Sequence, residues 1–192
     1  MAQDTADSRA RMVAGAADMI SRRGLNATSV RELAKYTRAP LGSTYHYFPG
    51  GKYDLATEAV RWADDLTTRI LRDELRAGPV AGLGAFLKMW RKVVLDSDFH
   101  AGCPVLAVAV EDLPEDQSAP RQAAADAFTG WAALLAESMT EHGADPSDAQ
   151  SAATLIVAAV EGTVAMCRAQ RSIAPLDQVA TELTRLVTRT IR

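Results

Sequence analysis

With 192 residues, 48% apolar and 23% charged, the chain has the composition of an ordinary globular protein and is neither disordered nor fibrous. No stretch approaches 18 uncharged apolar residues, and the N-terminus, with Asp4, Asp7, Arg9 and Arg11, lacks a signal peptide's apolar core; no membrane partner and a cytoplasmic location are predicted. The net charge of −3 argues against nucleic-acid binding, but residues 1–55 hold eight Lys/Arg against five Asp/Glu, and residues 56–192 thirteen against nineteen. A basic head on an acidic body can hold phosphate locally while the rest repels it.

Alanine-rich segments and the scarcity of β-branched alternation predict helix throughout. Met12, Ala16, Met19 and Ile20 share one face of a first helix from about Ser8 to Arg23, stopped by Gly24. Ser29 and Glu32 have capping-box spacing for a second helix, with Val30, Leu33, Ala34 and Thr37 facing inward. Pro40 suits the first turn of a third helix, which Pro49-Gly50-Gly51 ends near Phe48. A short helix, a tight turn and a second short helix rich in hydroxyls and aromatic rings can place side chains in a DNA major groove.

A longer helix is expected from Lys52 to about Arg76, with Leu55, Ala59, Trp62, Leu66 and Ile70 along one stripe. It would span about 37 Å, enough to link the head to a separate core. Gly78-Pro79 breaks it, and Leu83, Phe86, Leu87, Trp90 and Val94 mark the next helix, to about Asp96. Residues 98–103 read as a loop, Pro104–Val110 as a short apolar helix, and Leu113–Pro120 as an exposed acidic linker. A helix carrying Phe128, Trp131, Leu135 and Met139 runs to about His142.

Asp145-Pro146 reads as an N-cap and a first-turn proline, opening a helix to about Arg171. Ala158, Gly162, Ala165 and Ala169 form a small-residue stripe on it. Pro175 opens the last helix, where Leu176, Val179, Ala180, Leu183, Leu186, Val187 and Ile191 repeat at helical spacing. Ala158, Gly162, Ala165, Ala169, Val179, Leu183, Leu186 and Val187 are therefore the candidate homodimer interface, as a four-helix bundle across a two-fold axis. The alternative is that these helices bury within their own domain.

The head resembles the TetR/AcrR family of one-component bacterial repressors. The resemblance rests on Gly24-Leu-Asn-Ala-Thr-Ser-Val-Arg-Glu-Leu-Ala and Gly42-Ser-Thr-Tyr-His-Tyr-Phe-Pro-Gly-Gly-Lys52. Pro49-Gly-Gly-Lys52 and the later Gly102-Cys103-Pro104-Val105 resemble its LmrA/YxaF-type branch. The resemblance implies an all-α protein: a three-helix helix-turn-helix head, residues 1–51, joined to a helical effector-binding and dimerisation bundle, residues 52–192. It implies a homodimeric repressor that binds a (pseudo)palindromic double-stranded DNA operator and is released by a small, largely apolar effector, with no enzyme activity, cofactor or metal.

Carried over by residue, the resemblance sets Leu41, Gly42, Ser43 and His46 toward base edges and Ser29, Tyr45, Tyr47 and Lys52 against phosphate. Many family members have glycine in the turn and a cation at the start of the third helix, where this chain has Arg38 and Leu41. Leu41 cannot donate to guanine but can pack on a thymine methyl, and Arg38 is a candidate replacement for the missing cation. Phe48 reads as core, and Tyr45 and Tyr47, two residues apart, cannot share one helix face.

In the body, Phe86, Trp90, Cys103 and Phe128 are candidate effector contacts, with Trp131, Met139 and Met166; each also suits plain core. Glu161, alone among apolar neighbours, is the other candidate, for a cationic ligand or as partner to Arg168. Cys103 and Cys167 read as small buried hydrophobes, with a thiolate sensor at Cys103 as the alternative. His46, His100 and His142 have no metal-ligand spacing, and no nucleophile or phosphate-loop motif is present. A helical interaction module, an activator, or a regulator without ligand response would share these features; salt-sensitive duplex binding separates the first from the others.

Overall fold

The computed structural model describes the backbone of residues 2–192 and the side chains of residues 8–192. Among them the regular elements are α1 (Ala2–Arg23), α2 (Val30–Tyr36), α3 (Leu41–Tyr47), α4 (Lys52–Leu75) and α5 (Pro79–Asp96). There follow α6 (Pro104–Ala109), a 3-10 turn (Glu115–Gln117), α7 (Ala119–Glu141), α8 (Pro146–Gln170) and α9 (Ala174–Thr190). The protein is all-α, as its composition predicts.

Local chemistry sets most helix ends. Ser29 caps α2 by accepting from the Glu32 N–H at 3.2 Å, and its own hydroxyl donates to the Glu32 carboxylate at 2.9 Å. Asp145 caps α8 through the N–H groups of Ser147 and Asp148. Pro40 differs from expectation: it is the extended N-cap residue of α3, ψ 135°, and not part of its first turn. The expected linker over 113–120 also differs, because Leu113 is buried, a 3-10 turn forms, and α7 already starts at Ala119. Pro120 sits in the first turn of α7, where its missing N–H costs nothing.

The chain forms two compact units, one of Met1–Asp64 with Cys103–Ala127, the other of Asp65–Gly102 with Phe128–Arg192. In the first, Met12, Ala16, Met19 and Ile20 of α1 are buried, as are Leu25, Leu33, Phe48 and Leu55. The short α6 packs on α1, with Val105 and Val108 fully buried. Beyond its end, Glu111 accepts from the Asn26 side-chain amide and, at 3.2 Å, from the Asn26 backbone N–H.

In the second unit, α5 and α7 run antiparallel: His142 approaches Gly78, and the Phe86 and Trp131 rings meet 6.1 Å apart. The helices α8 and α9 make the most extensive pairing. Among the described residues, α8 alone would suffice by length and hydropathy to cross a bilayer, which reading for uncharged stretches missed because Glu161 interrupts it. Half of its most apolar window is buried within the fold and Glu161 is only 4% exposed, so packing accounts for its hydropathy.

Candidate nucleic-acid interface and the helical body

The turn between α2 and α3 is built by the backbone. The Ala39 N–H reaches the Ala34 carbonyl at 2.8 Å, and the Arg38 N–H reaches that of Lys35 at 3.3 Å. This double closure requires a left-handed residue after the helix, and Arg38 fills the place at φ 54°. That geometry is why glycine suits the position.

Two residues root α3 in the head: Thr44 is fully buried and Phe48 is 1% exposed. The Arg9 guanidinium lies 5.4 Å over the Phe48 ring and pairs at 2.7 Å with Glu58, joining α1 to α4. The opposite face of α3 is uncovered. Leu41 is 38% and Tyr45 53% exposed, Gly42 and His46 are exposed, and a Cβ added to Gly42 would meet nothing within 4 Å. Ser43 and Tyr47 are half-buried at the edges of this face, and the Tyr47 ring stacks edge-on against His46 at 5.4 Å.

Ser29 and Arg38 are exposed, and Lys52 is half-buried with its ammonium 5.4 Å over the Tyr53 ring. All nine candidate DNA contacts thus lie outside the core. Sequence reading overlooked Asp54, whose carboxylate accepts from the Gly50 N–H at 2.6 Å and ties the turn after α3 to the first turn of α4. It also overlooked Tyr36, whose hydroxyl donates to Asp18 at 2.7 Å; that bond, with burial second, raises the phenol pKa above its usual value. Both cysteine side chains are buried and neither is in a disulfide. Burial pushes the Cys167 thiol pKa up. Cys103 caps α6, its Sγ accepting from the Leu106 N–H at 3.4 Å.

Of the candidate effector contacts, the structure joins Phe86, Trp90, Phe128 and Trp131 through edge-on ring contacts at 5.6 to 6.3 Å. Met139 and Glu161 are buried in the same unit, whereas Met166 is 50% exposed and Cys103 belongs to the other unit. The Trp90 Nε1 and Ser138 Oγ are buried without a hydrogen-bond partner, a cost of about 1–3 kcal/mol each unless something binds them. The dimer candidates divide likewise. Ala158, Gly162, Ala165 and Ala169 are exposed beside Leu155 and Met166, Val179 and Leu186 are half-buried, and Leu183 and Val187 turn into their own unit's core.

A short capped helix, a left-handed turn and a second helix rooted by Thr44 and Phe48 with a bare outer face define a helix-turn-helix DNA-binding regulator. Residues 12–59 match the family model for bacterial regulatory proteins of the tetR family, and residues 79–182 match that for the C-terminal domain of LmrA/YxaF-like transcriptional regulators. The chain belongs to the TetR family of bacterial transcriptional regulators, in its LmrA/YxaF-like group, and is not an enzyme.

An uncharacterized HTH-type transcriptional regulator of Mycobacterium tuberculosis, Rv0196, is 36% identical over 184 residues, covering 93% of each chain. The HTH-type transcriptional regulator LmrA of Bacillus subtilis is 29% identical over 176 residues, 91% of this chain and 93% of that one. Among solved structures, the regulatory protein TetR from Rhodobacter sphaeroides has a TM-score of 0.80 at 23% identity, covering 93% of this chain and 98% of its own. A cysteine mutant of the regulator CifR, solved with a 26-bp double-strand operator, has a TM-score of 0.74 at 22% identity, covering 91% and 93%.

Proposed function

We propose that this protein is a cytoplasmic homodimeric repressor that binds a (pseudo)palindromic operator and lets go of it when a small, largely apolar effector binds. Residues 1–51 act as the DNA-binding domain and residues 52–192 as the effector-binding and dimerisation domain. The observation that carries the reading is the bare face of α3, with Leu41, Gly42, Tyr45 and His46 outward while Thr44 and Phe48 hold the helix down. Leu41, Gly42, Ser43 and His46 read base edges. Ser29, at a helix N-terminus, takes phosphate with Arg38, Tyr45, Tyr47 and Lys52.

A second copy covers the α8 face of Ala158, Gly162, Ala165 and Ala169, whose small side chains let helices approach closely. Exposed Leu155 and Met166 and half-buried Val179 and Leu186 flank it. Closure by a two-fold axis gives two heads that must sit about 34–36 Å apart to enter successive major grooves. The effector occupies the aromatic interior around Phe86, Trp90, Phe128 and Trp131, where the Trp90 N–H offers a hydrogen bond. An effector preferring a state with misplaced heads lowers operator affinity by its differential affinity for the two states.

Binding of the purified protein to duplex DNA across a salt series is the test. A Kd that rises steeply with salt, with two protomers per duplex, supports the reading; salt-insensitive or absent binding removes it.

A further inference from the structure

Three of the four left-handed non-glycine residues among the described residues meet at one place: Asp98 at φ 51°, Phe99 at φ 62° and Arg171 at φ 48°. The first two close the end of α5, where the Phe99 N–H reaches the Val94 carbonyl at 2.9 Å and the Asp98 N–H reaches that of Leu95 at 3.0 Å. The third ends α8. A bulky side chain such as Phe99 occupies this region at a cost unless its surroundings enforce it.

Two arginines at the end of α8 enforce it. Arg171 pairs with the Asp98 carboxylate at 2.7 Å and lies 5.9 Å over the Phe99 ring. Arg168 donates to the His100 carbonyl at 3.0 Å and covers Gly102 so closely that an added Cβ would lie 2.8 Å from its Nη1. Immediately beyond the loop comes Cys103, the N-cap of α6, and α6 packs on α1 of the head.

We propose that residues 97–102 are a strained latch, clamped by Arg168 and Arg171, whose release moves the start of α6 and so changes the operator affinity of the head. The affinity half rests on the DNA-binding reading above; the latch itself does not. Breaking the clamp and relieving the strain act on one equilibrium in opposite senses. Arg171→Gln removes the ion pair and favours the open loop, whereas Phe99→Gly removes the left-handed penalty and favours the closed one.

Hydrogen exchange of residues 103–112 in the full-length protein reads the latch directly, with far-UV circular dichroism and thermal unfolding as checks of folding. Exchange is expected to speed up about two- to fivefold in Arg171→Gln, the worth of an exposed ion pair with its ring contact. It is expected to slow about two- to fivefold in Phe99→Gly, one residue's left-handed cost less the greater freedom of glycine in the open loop. Asp98→Asn, which keeps a side chain tolerant of this backbone, should match Arg171→Gln, and combining the two should add nothing further. Affinity for a duplex carrying the intergenic DNA upstream of the protein's own gene should shift in opposite directions in Arg171→Gln and Phe99→Gly.

Exchange that changes less than twofold in both variants, or in the same direction, overturns the latch. Opposite exchange shifts in a protein that binds no duplex uphold the latch and remove the DNA-binding reading. Opposite exchange shifts with unchanged duplex affinity overturn the coupling to the head.

Discussion

Replacing Arg38 by glycine should make the head more stable while weakening its grip on DNA. Arg38 closes α2 at φ 54°, with its side chain exposed, so no packing is lost when it is removed. The left-handed backbone costs a residue with a Cβ about 1–2 kcal/mol. Glycine escapes that cost but returns about 0.4–1 kcal/mol through the greater freedom of the unfolded chain. The net gain is about 0.5–1 kcal/mol, a rise in Tm of about 1–4 °C for a chain of this length. Arg38→Ala is the control, because alanine keeps the Cβ and removes only the guanidinium. Thermal unfolding should rank Arg38→Gly above both Arg38→Ala and the parent chain. If Arg38 contacts phosphate, both variants lower the slope of log Kd against log salt by about 1.8 for a dimer with two heads. A glycine variant no more stable than the alanine variant would refute the left-handed turn and the reasoning built on it.

Gly15→Ala should lower Tm although alanine is the better helix former, because its Cβ would lie 2.5 Å from the Thr37 Cγ2, whose rotamer is held by a 2.9 Å bond from its hydroxyl to the Leu33 carbonyl. Thr37→Ser removes that methyl and should restore stability in the double variant. Asp145 accepts from the Ser147 hydroxyl and N–H and the Asp148 N–H, which lowers its pKa; its contribution is present above the unfolded carboxylate value and lost as pH falls through the lower folded one. Asp145→Asn should therefore flatten the acid limb of a Tm-against-pH curve, while the parent chain loses stability below about pH 4. Leu41→Lys, at a 38% exposed position, should leave Tm unchanged and shift the preferred half-site toward guanine at the base it faces, as selection of bound duplexes would read. Both cysteines should react slowly with a thiol reagent in the native protein and rapidly once it unfolds, since each is at most 4% exposed.

The head was the most legible part of the chain because its signals are local. Ser29 with Glu32, Gly24, and Pro49-Gly50-Gly51 each act within one turn of their own position, and the helix ends they set fall within a residue of expectation. By contrast α1, which has no such signal at its start, begins at Ala2, six residues before the expected Ser8. Pro40 was displaced by one position because a proline suits both an N-cap and a first turn, and only the backbone ψ distinguishes them. Pro120 was read as a linker boundary when it opens a helix, the same ambiguity with the other outcome. The left-handed state of Arg38 was not readable, since arginine carries no preference for it; only the turn's hydrogen bonds impose it.

Long-range features were less legible. Periodicity puts Leu183 and Val187 on an apolar face of α9 but does not say whether that face meets its own chain; the structure buries them at home and leaves the α8 stripe exposed. Met166 looked like pocket material by residue type, yet it sits four residues from Gly162 on that exposed stripe. The packing of α6 on α1, and the Glu111 contact with Asn26, join segments more than eighty residues apart and leave no local trace.

Nuclease footprinting of the purified protein on its own upstream intergenic DNA tests the central claim most directly. The account predicts a protected inverted repeat with half-site centres about one helical turn apart, or a multiple of it, weakened by Tyr45→Ala without loss of fold. A folded, dimeric protein that protects no sequence there and binds no duplex even at low salt would contradict it.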